Sequence, residues 1–184
     1  MFIKVISSGL ALFFAVVLSV PGWGAYLAAG KPAPPFLVAS GGDEKLTLDM
    51  VRGKIVVMFY EAREVIKKNL ELKNELKKLY KSQPQDIRNR IFRLVVIDCA
   101  DAFWLTLPFW KSKLVAHSKK EGLTIYGDWT RRMFLDYRMQ GGESNFLIID
   151  PEGIIRYSAT GKISLSRFGE IKEVLAALIH QGRD

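Results

Sequence analysis

The chain has a single cysteine, Cys99, among its 184 residues. No intramolecular disulfide can form, and neither a Cys-x-x-Cys redox pair nor a thiolate zinc cage is available. Histidine is nearly as scarce: His117 and His180 are the only two, and they form no ligand-spaced cluster. Asp98 and Asp101 flank Cys99 but lack partners in sequence that would complete a metal set, so neither a metal nor a cofactor is called for. Internal repeats and low-complexity tracts are absent. What is present is ordinary for one folded domain, with 49% apolar and 25% charged residues. Lysine and arginine number 27 against 19 acidic residues, a formal charge of +8.

The one long hydrophobic run is at the start. Met-Phe-Ile-Lys leads into an apolar stretch from Val5 to Val20, then Pro21-Gly22 and small residues. This has the composition of a secretory signal peptide over 1–24, with residues 25–184 as the exported domain. Cleavage after Gly24 satisfies the small-x-small rule, and Gly30 is a later alternative. The run is shorter than the roughly 20 residues of a membrane span, the other use for such a segment. The expected compartment is the periplasm.

Beyond it, Gly30 to Phe36 is held extended by prolines and leads to Leu37-Val38-Ala39, after which Gly41-Gly42-Asp43 turns the chain towards Leu46-Thr47-Leu48. Ile55 to Tyr60 is a continuous apolar run, expected of a strand buried on both faces. Residues 62–81 read as one long charged helix with Ile66, Leu72, Leu76 and Leu79 on one side and Glu64 and Lys68 spaced for an i,i+4 pair. Ile91 to Ile97 is a further strand. Thr106 is placed to cap a helix carrying Trp110 and Leu114 and ending near Gly122. A short helix precedes a hairpin of Asn145–Asp150 and Ile154–Tyr157. A last helix places Leu165, Phe168, Ile171, Leu175 and Leu178 at helical spacing, with Gly182 beyond its end. Such alternation predicts a three-layer α/β domain, a mixed central sheet with helices on both faces.

Particular residues narrow this. Gly30-x-Pro-Ala-Pro-x-Phe36, Leu46-x-Leu48, Arg52-Gly-Lys-Ile-Val-Val-Met-Phe59 and Phe146-Leu-Ile-Ile-Asp-Pro-Glu-Gly153 stand in an order that resembles thioredoxin-like proteins. The likeness is to the exported branch shared by TlpA-like thiol oxidoreductases and peroxiredoxins, and it implies their fold. It also implies where a dithiol should be. By ungapped alignment the two cysteine positions hold Glu64 and Lys67, bracketing Val65 and Ile66. Neither residue can carry out thiol–disulfide exchange, which needs a thiolate. The peroxiredoxin Pro-x-x-x-Thr-x-x-Cys is missing too, as is the Cys pair plus His of copper-binding Sco-type relatives. Ser144 stands near the place of the family's cis-proline and is expected to be trans.

Asp101-Ala102, Thr106, Phe109, Lys111-Ser112 and Leu114, together with Glu143-Ser144 before the hairpin, resemble the YtfJ family of periplasmic thioredoxin-like proteins without a dithiol. That likeness accounts for the missing dithiol and cis-proline together but carries no activity of its own; the role expected here is a redox-inactive binding or scaffold module. The alternative is an enzyme, a single-thiol oxidoreductase or peroxidase using Cys99. Against it, Cys99 follows the second buried strand and no His, Lys or helix N-terminus adjoins it in sequence, which suits a small buried hydrophobe. Arg63, Glu64 and Lys67 could form a polar site where the dithiol stood, or simply a solvated, mixed-charge helix start.

Phe103, Trp104, Phe109 and Trp110 concentrate aromatics at the entry to the second helix, and any that stay exposed mark a protein-binding patch. The partner expected there is another periplasmic or envelope protein. An anionic membrane surface is a second use for the positive charge. Nucleic acid is not expected, because the basic residues are dispersed and carry no recognition motif.

Overall fold

The computed structural model describes residues 28–181. The expected signal peptide and Gly182 lie outside the described residues. No helix among the described residues is long and apolar enough to cross a membrane.

Seven strands form one sheet: β1 (Leu37–Ser40), β2 (Lys45–Thr47), β3 (Ile55–Glu61), β4 (Ile91–Asp98), β5 (Ile125–Asp128), β6 (Ser144–Ile149) and β7 (Ile155–Thr160). Their order is β2-β1-β5-β4-β3-β6-β7. The three central strands β3, β4 and β5 are parallel, while the β1–β2 pair on one side and the β6–β7 hairpin on the other run antiparallel. The helices are α1 (Leu70–Ser82), α2 (Gln85–Arg90), α3 (Leu107–Glu121), α4 (Arg132–Asp136) and α5 (Phe168–Gln181).

Because the chain steps from β3 to β4 to β5 in one direction across the sheet, right-handed crossovers put α1 and α3 on the same face. The side-chain alternation agrees. Ile55, Val57 and Phe59 face Leu72 of α1 and Ile171, Leu175 and Leu178 of α5. Ile97 and Cys99 on that face meet Leu114 of α3. Val56, Met58, Tyr60, Leu94 and Val96 point the other way, onto Met133 of α4, Tyr137 and the proline-bearing lead-in through Phe36.

Several expectations need correction. The strand β5 was not anticipated; it is four residues long with Gly127 inside it. A β-carbon at Gly127 would lie 2.8 Å from the Trp129 ring, so the position needs glycine for a close approach that no periodicity announces. The expected helix over 62–81 begins only at Leu70, after a 3-10 turn at Arg63–Val65. Asn69 departs from helical geometry and spends its side chain on bonds across the fold rather than on a cap. The anticipated Glu64–Lys68 pair therefore does not form: Glu64 sits 3.4 Å from Arg63, and Lys68 pairs with Glu143. Gly122 ends α3 in the left-handed conformation (φ +66°), as read from the sequence. Thr106 stands at the start of α3, but its hydroxyl donates back to the Phe103 carbonyl. Leu165 falls in a 3-10 turn ahead of α5 and is exposed.

Candidate functional site

The edge that would carry redox chemistry is the end of β3 beside the start of β6. These strands pair so that Glu61 faces Ser144. Glu61 ends a strand whose seven residues are all buried, and its side chain is 0% exposed. A carboxylate held there needs partners. Lys73, in the first turns of α1, supplies one at 2.5 Å and also donates to the Ile66 carbonyl at 2.8 Å. The Ser144 hydroxyl donates to the other oxygen of Glu61 at 2.8 Å. Asn69 completes the set: its amide donates to Ser144 Oγ at 3.0 Å and to the Gly161 carbonyl at 2.8 Å, and its oxygen accepts from the Ile163 amide at 2.8 Å. Burial raises the Glu61 pKa, while Lys73 and Ser144 pull it back down. All described peptide bonds are trans, the one into Ser144 included.

Glu61 and Lys73 were not singled out by sequence reasoning. The signal available was Glu61 itself, a charge placed directly after six apolar strand residues. The residues that were singled out lie a turn further on. Glu64 and Lys67 are exposed, Val65 and Ile66 half-buried, and Ile66 packs toward Cys99. Arg63 lies over the Trp110 ring, 4.8 Å from its centroid. The four loop positions thus do not converge on a shared polar site; the buried polar cluster is made instead by Glu61, Asn69, Lys73 and Ser144.

Cys99 is fully buried among Ile97, Leu114 and Ile125. Its thiol is pushed up to about 12, first by burial and then by the nearby carboxylates of Asp98 and Asp128, with Arg63 opposing. Asp98, also raised mainly by burial, lies 3.4 Å from Arg131. Asp128 accepts from the Tyr60 hydroxyl at 3.2 Å and the Phe134 amide at 3.0 Å. Among the described residues no group of three or more His, Cys, Asp or Glu side chains is arranged to hold a metal ion.

No protein-family model matches the chain, and no curated protein matches its sequence. Solved structures do resemble it. A protein assigned as the thiol:disulfide interchange protein DsbE of Chlorobium tepidum superposes with a TM-score of 0.60 at 17% identity, covering 83% of this chain and 99% of its own. The thioredoxin domain of a thiol-disulfide oxidoreductase from Bacteroides vulgatus gives 0.59 at 16% identity, covering 81% and 99%. The thiol peroxidase of Chromobacterium violaceum gives 0.60 at 13% identity, covering 84% and 89%. The fold is thioredoxin-like.

On this thioredoxin-like frame the aromatic cluster spans the connection from β4 to α3 and the first turn of α3. The loop is held by its own backbone: Ala102 N donates to Cys99 O at 3.0 Å and Thr106 N to Phe103 O at 2.9 Å. Its side chains point outward. Phe103 is 54% exposed, Trp104 78%, Leu105 63% and Phe109 60%. Trp110 is half-buried against the Cys99 cluster. Three of the four aromatics named from sequence are therefore exposed together, joined by Leu105, which was not named. Adjacent exposed apolar side chains of this size are uncommon on a soluble surface without a partner.

Proposed function

We propose that the chain is an exported binding or scaffold module that keeps the thioredoxin-like frame without dithiol chemistry. The observation that carries this reading is that Glu64 and Lys67, exposed, stand at the two expected thiol positions, while beside them Glu61, Lys73, Ser144 and Asn69 are joined to one another by ion pair and hydrogen bonds and the chain's one thiol is buried and hard to ionise. The likeness to the YtfJ family supports the same reading, as does the apolar N-terminus, which directs the chain to the periplasm. The competing reading, a peroxidase or oxidoreductase built on Cys99 alone, needs a thiolate that this environment disfavours.

Phe103, Trp104, Leu105 and Phe109 form the binding surface, and its partner is another envelope protein. A photo-crosslinking amino acid at position 104 in living cells is expected to give one discrete adduct. The same probe at position 135, an exposed leucine on α4, is expected to give none. Absence of any adduct at 104, or the same adduct from both positions, would contradict the assignment.

A further inference from the structure

A second feature borders Cys99 and the aromatic residues Phe109 and Trp110. The helices α1 and α3 share a sheet face but do not close over it. α1 has thirteen residues and α3 fifteen, yet each fully buries only one, Leu72 and Leu114. Beneath the gap runs β4, an internal strand. Its Leu94 and Val96 are 0% exposed on the far face. On the near face Ile91, Arg93 and Val95 remain only half-buried. The result is a trough of about 940 Å³, at the upper end of the roughly 300–1,000 Å³ of small-molecule sites.

The trough has two chemistries. Its floor and walls are alkyl and aromatic: Val95, Ile97, Leu76, Leu79, Leu123 and Trp110 line it. Its rim is cationic, with eight lysines and arginines against Glu61 and Glu121. Lys67, Arg93, Lys113, Lys120 and Lys172 form no ion pair among the described residues. The β3–β4–β5 backbone ladder beneath is already paired, so the floor offers no hydrogen bonds to an extended peptide. An alkyl chain needs none. From this geometry we infer that the trough binds a single-chain anionic amphiphile of the long-chain fatty acid class, its chain along β4 and its carboxylate on the lysine rim.

This deepens the binding-module reading by naming a ligand class for a site that adjoins the aromatic surface, with Phe109 and Trp110 on its border. The test is calorimetric titration of the purified protein with decanoate, dodecanoate and tetradecanoate below their critical micelle concentrations. The expected result is saturable binding that tightens about fourfold per added methylene, equivalent to ~0.8 kcal/mol. Tetradecanol, which keeps the chain and removes the charge, is expected to bind about tenfold more weakly. The double substitution Lys113→Glu with Lys120→Glu, both exposed on α3, should cost a similar factor without changing the thermal midpoint. Val95→Phe, which extends a half-exposed floor residue into the trough, should weaken the longest chain most.

Three results would overturn the inference: no binding of tetradecanoate, equal binding of tetradecanol, or binding to phosphatidylglycerol vesicles with none to monomeric tetradecanoate. The last would assign the charge to membrane adsorption. Should Cys99 instead prove to turn over thiols while tetradecanoate still binds, the module reading fails and the trough assignment stands.

Discussion

Replacing Lys73 with alanine is expected to destabilise the protein by about 3–5 kcal/mol, more than most single substitutions. The reason is asymmetry. Lys73 is 20% exposed and could be lost at little cost on its own, but Glu61 is 0% exposed and would keep a carboxylate in the interior with only Ser144 beside it. Removing both charges at once, as Glu61→Gln with Lys73→Met, is expected to recover most of the loss, because a buried pair contributes little net stability over a neutral one. The dependence on pH has a defined sign. Burial holds the folded pKa of Glu61 above its ordinary 4.5, so the folded state takes up the proton more readily than the unfolded chain. The contribution of Glu61 is fully present below pH 4.5 and declines as pH rises through the folded value. The Lys73→Ala deficit should accordingly shrink toward acid pH. Urea unfolding from pH 4 to pH 8 measures all of this. A deficit under about 1 kcal/mol at pH 7 would mean that the pair behaves as an exposed one.

The second large effect concerns Cys99. A thiol raised from 9.0 to about 12 has a thiolate population about a thousandfold smaller at neutral pH, and alkylation proceeds through the thiolate. Burial behind Leu114 and Ile125 adds a steric barrier. Iodoacetamide is therefore expected to modify the native protein at least ~10³ times more slowly than the protein in guanidinium. The native rate should still be climbing at pH 10. A native alkylation midpoint below about 8.5, the value for a free thiol, would contradict the assigned environment. In stability terms, the protonated thiol's contribution is fully present below pH 9.0 and is lost as pH rises toward 12.

Much of the frame was legible in the residues. The apolar runs at Ile55–Tyr60 and Ile91–Ile97 read as buried strands because a strand covered on both faces needs no alternation. Gly122 marked its helix end through the conformation only glycine adopts freely. The strand β5 was not legible, because four residues containing a glycine fall below what periodicity can register. The start of α1 was misread for a related reason. Apolar spacing continues through Ile66, but the backbone at Asn69 follows hydrogen bonds to Ser144, Gly161 and Ile163, which are distant in sequence. The candidate residues divided in the same way. The aromatic cluster could be read because its residues are neighbours along the chain, and Glu64 and Lys67 are as exposed as a mixed-charge helix start implies. The buried polar cluster could not be read, because Glu61 and Lys73 belong to different elements and share no spacing rule. The trough could not be read at all, since it depends on how far α1 stands from α3 rather than on either helix alone.

We propose that this thioredoxin-like chain performs no thiol chemistry. The most direct measurement is turnover by the wild type and Cys99→Ser side by side, in dithiothreitol-driven insulin reduction and in peroxide consumption with a small-molecule thiol as reductant. Both proteins are expected to match the buffer rate in both assays. Turnover by the wild type that Cys99→Ser abolishes would contradict it and make Cys99 the reacting group.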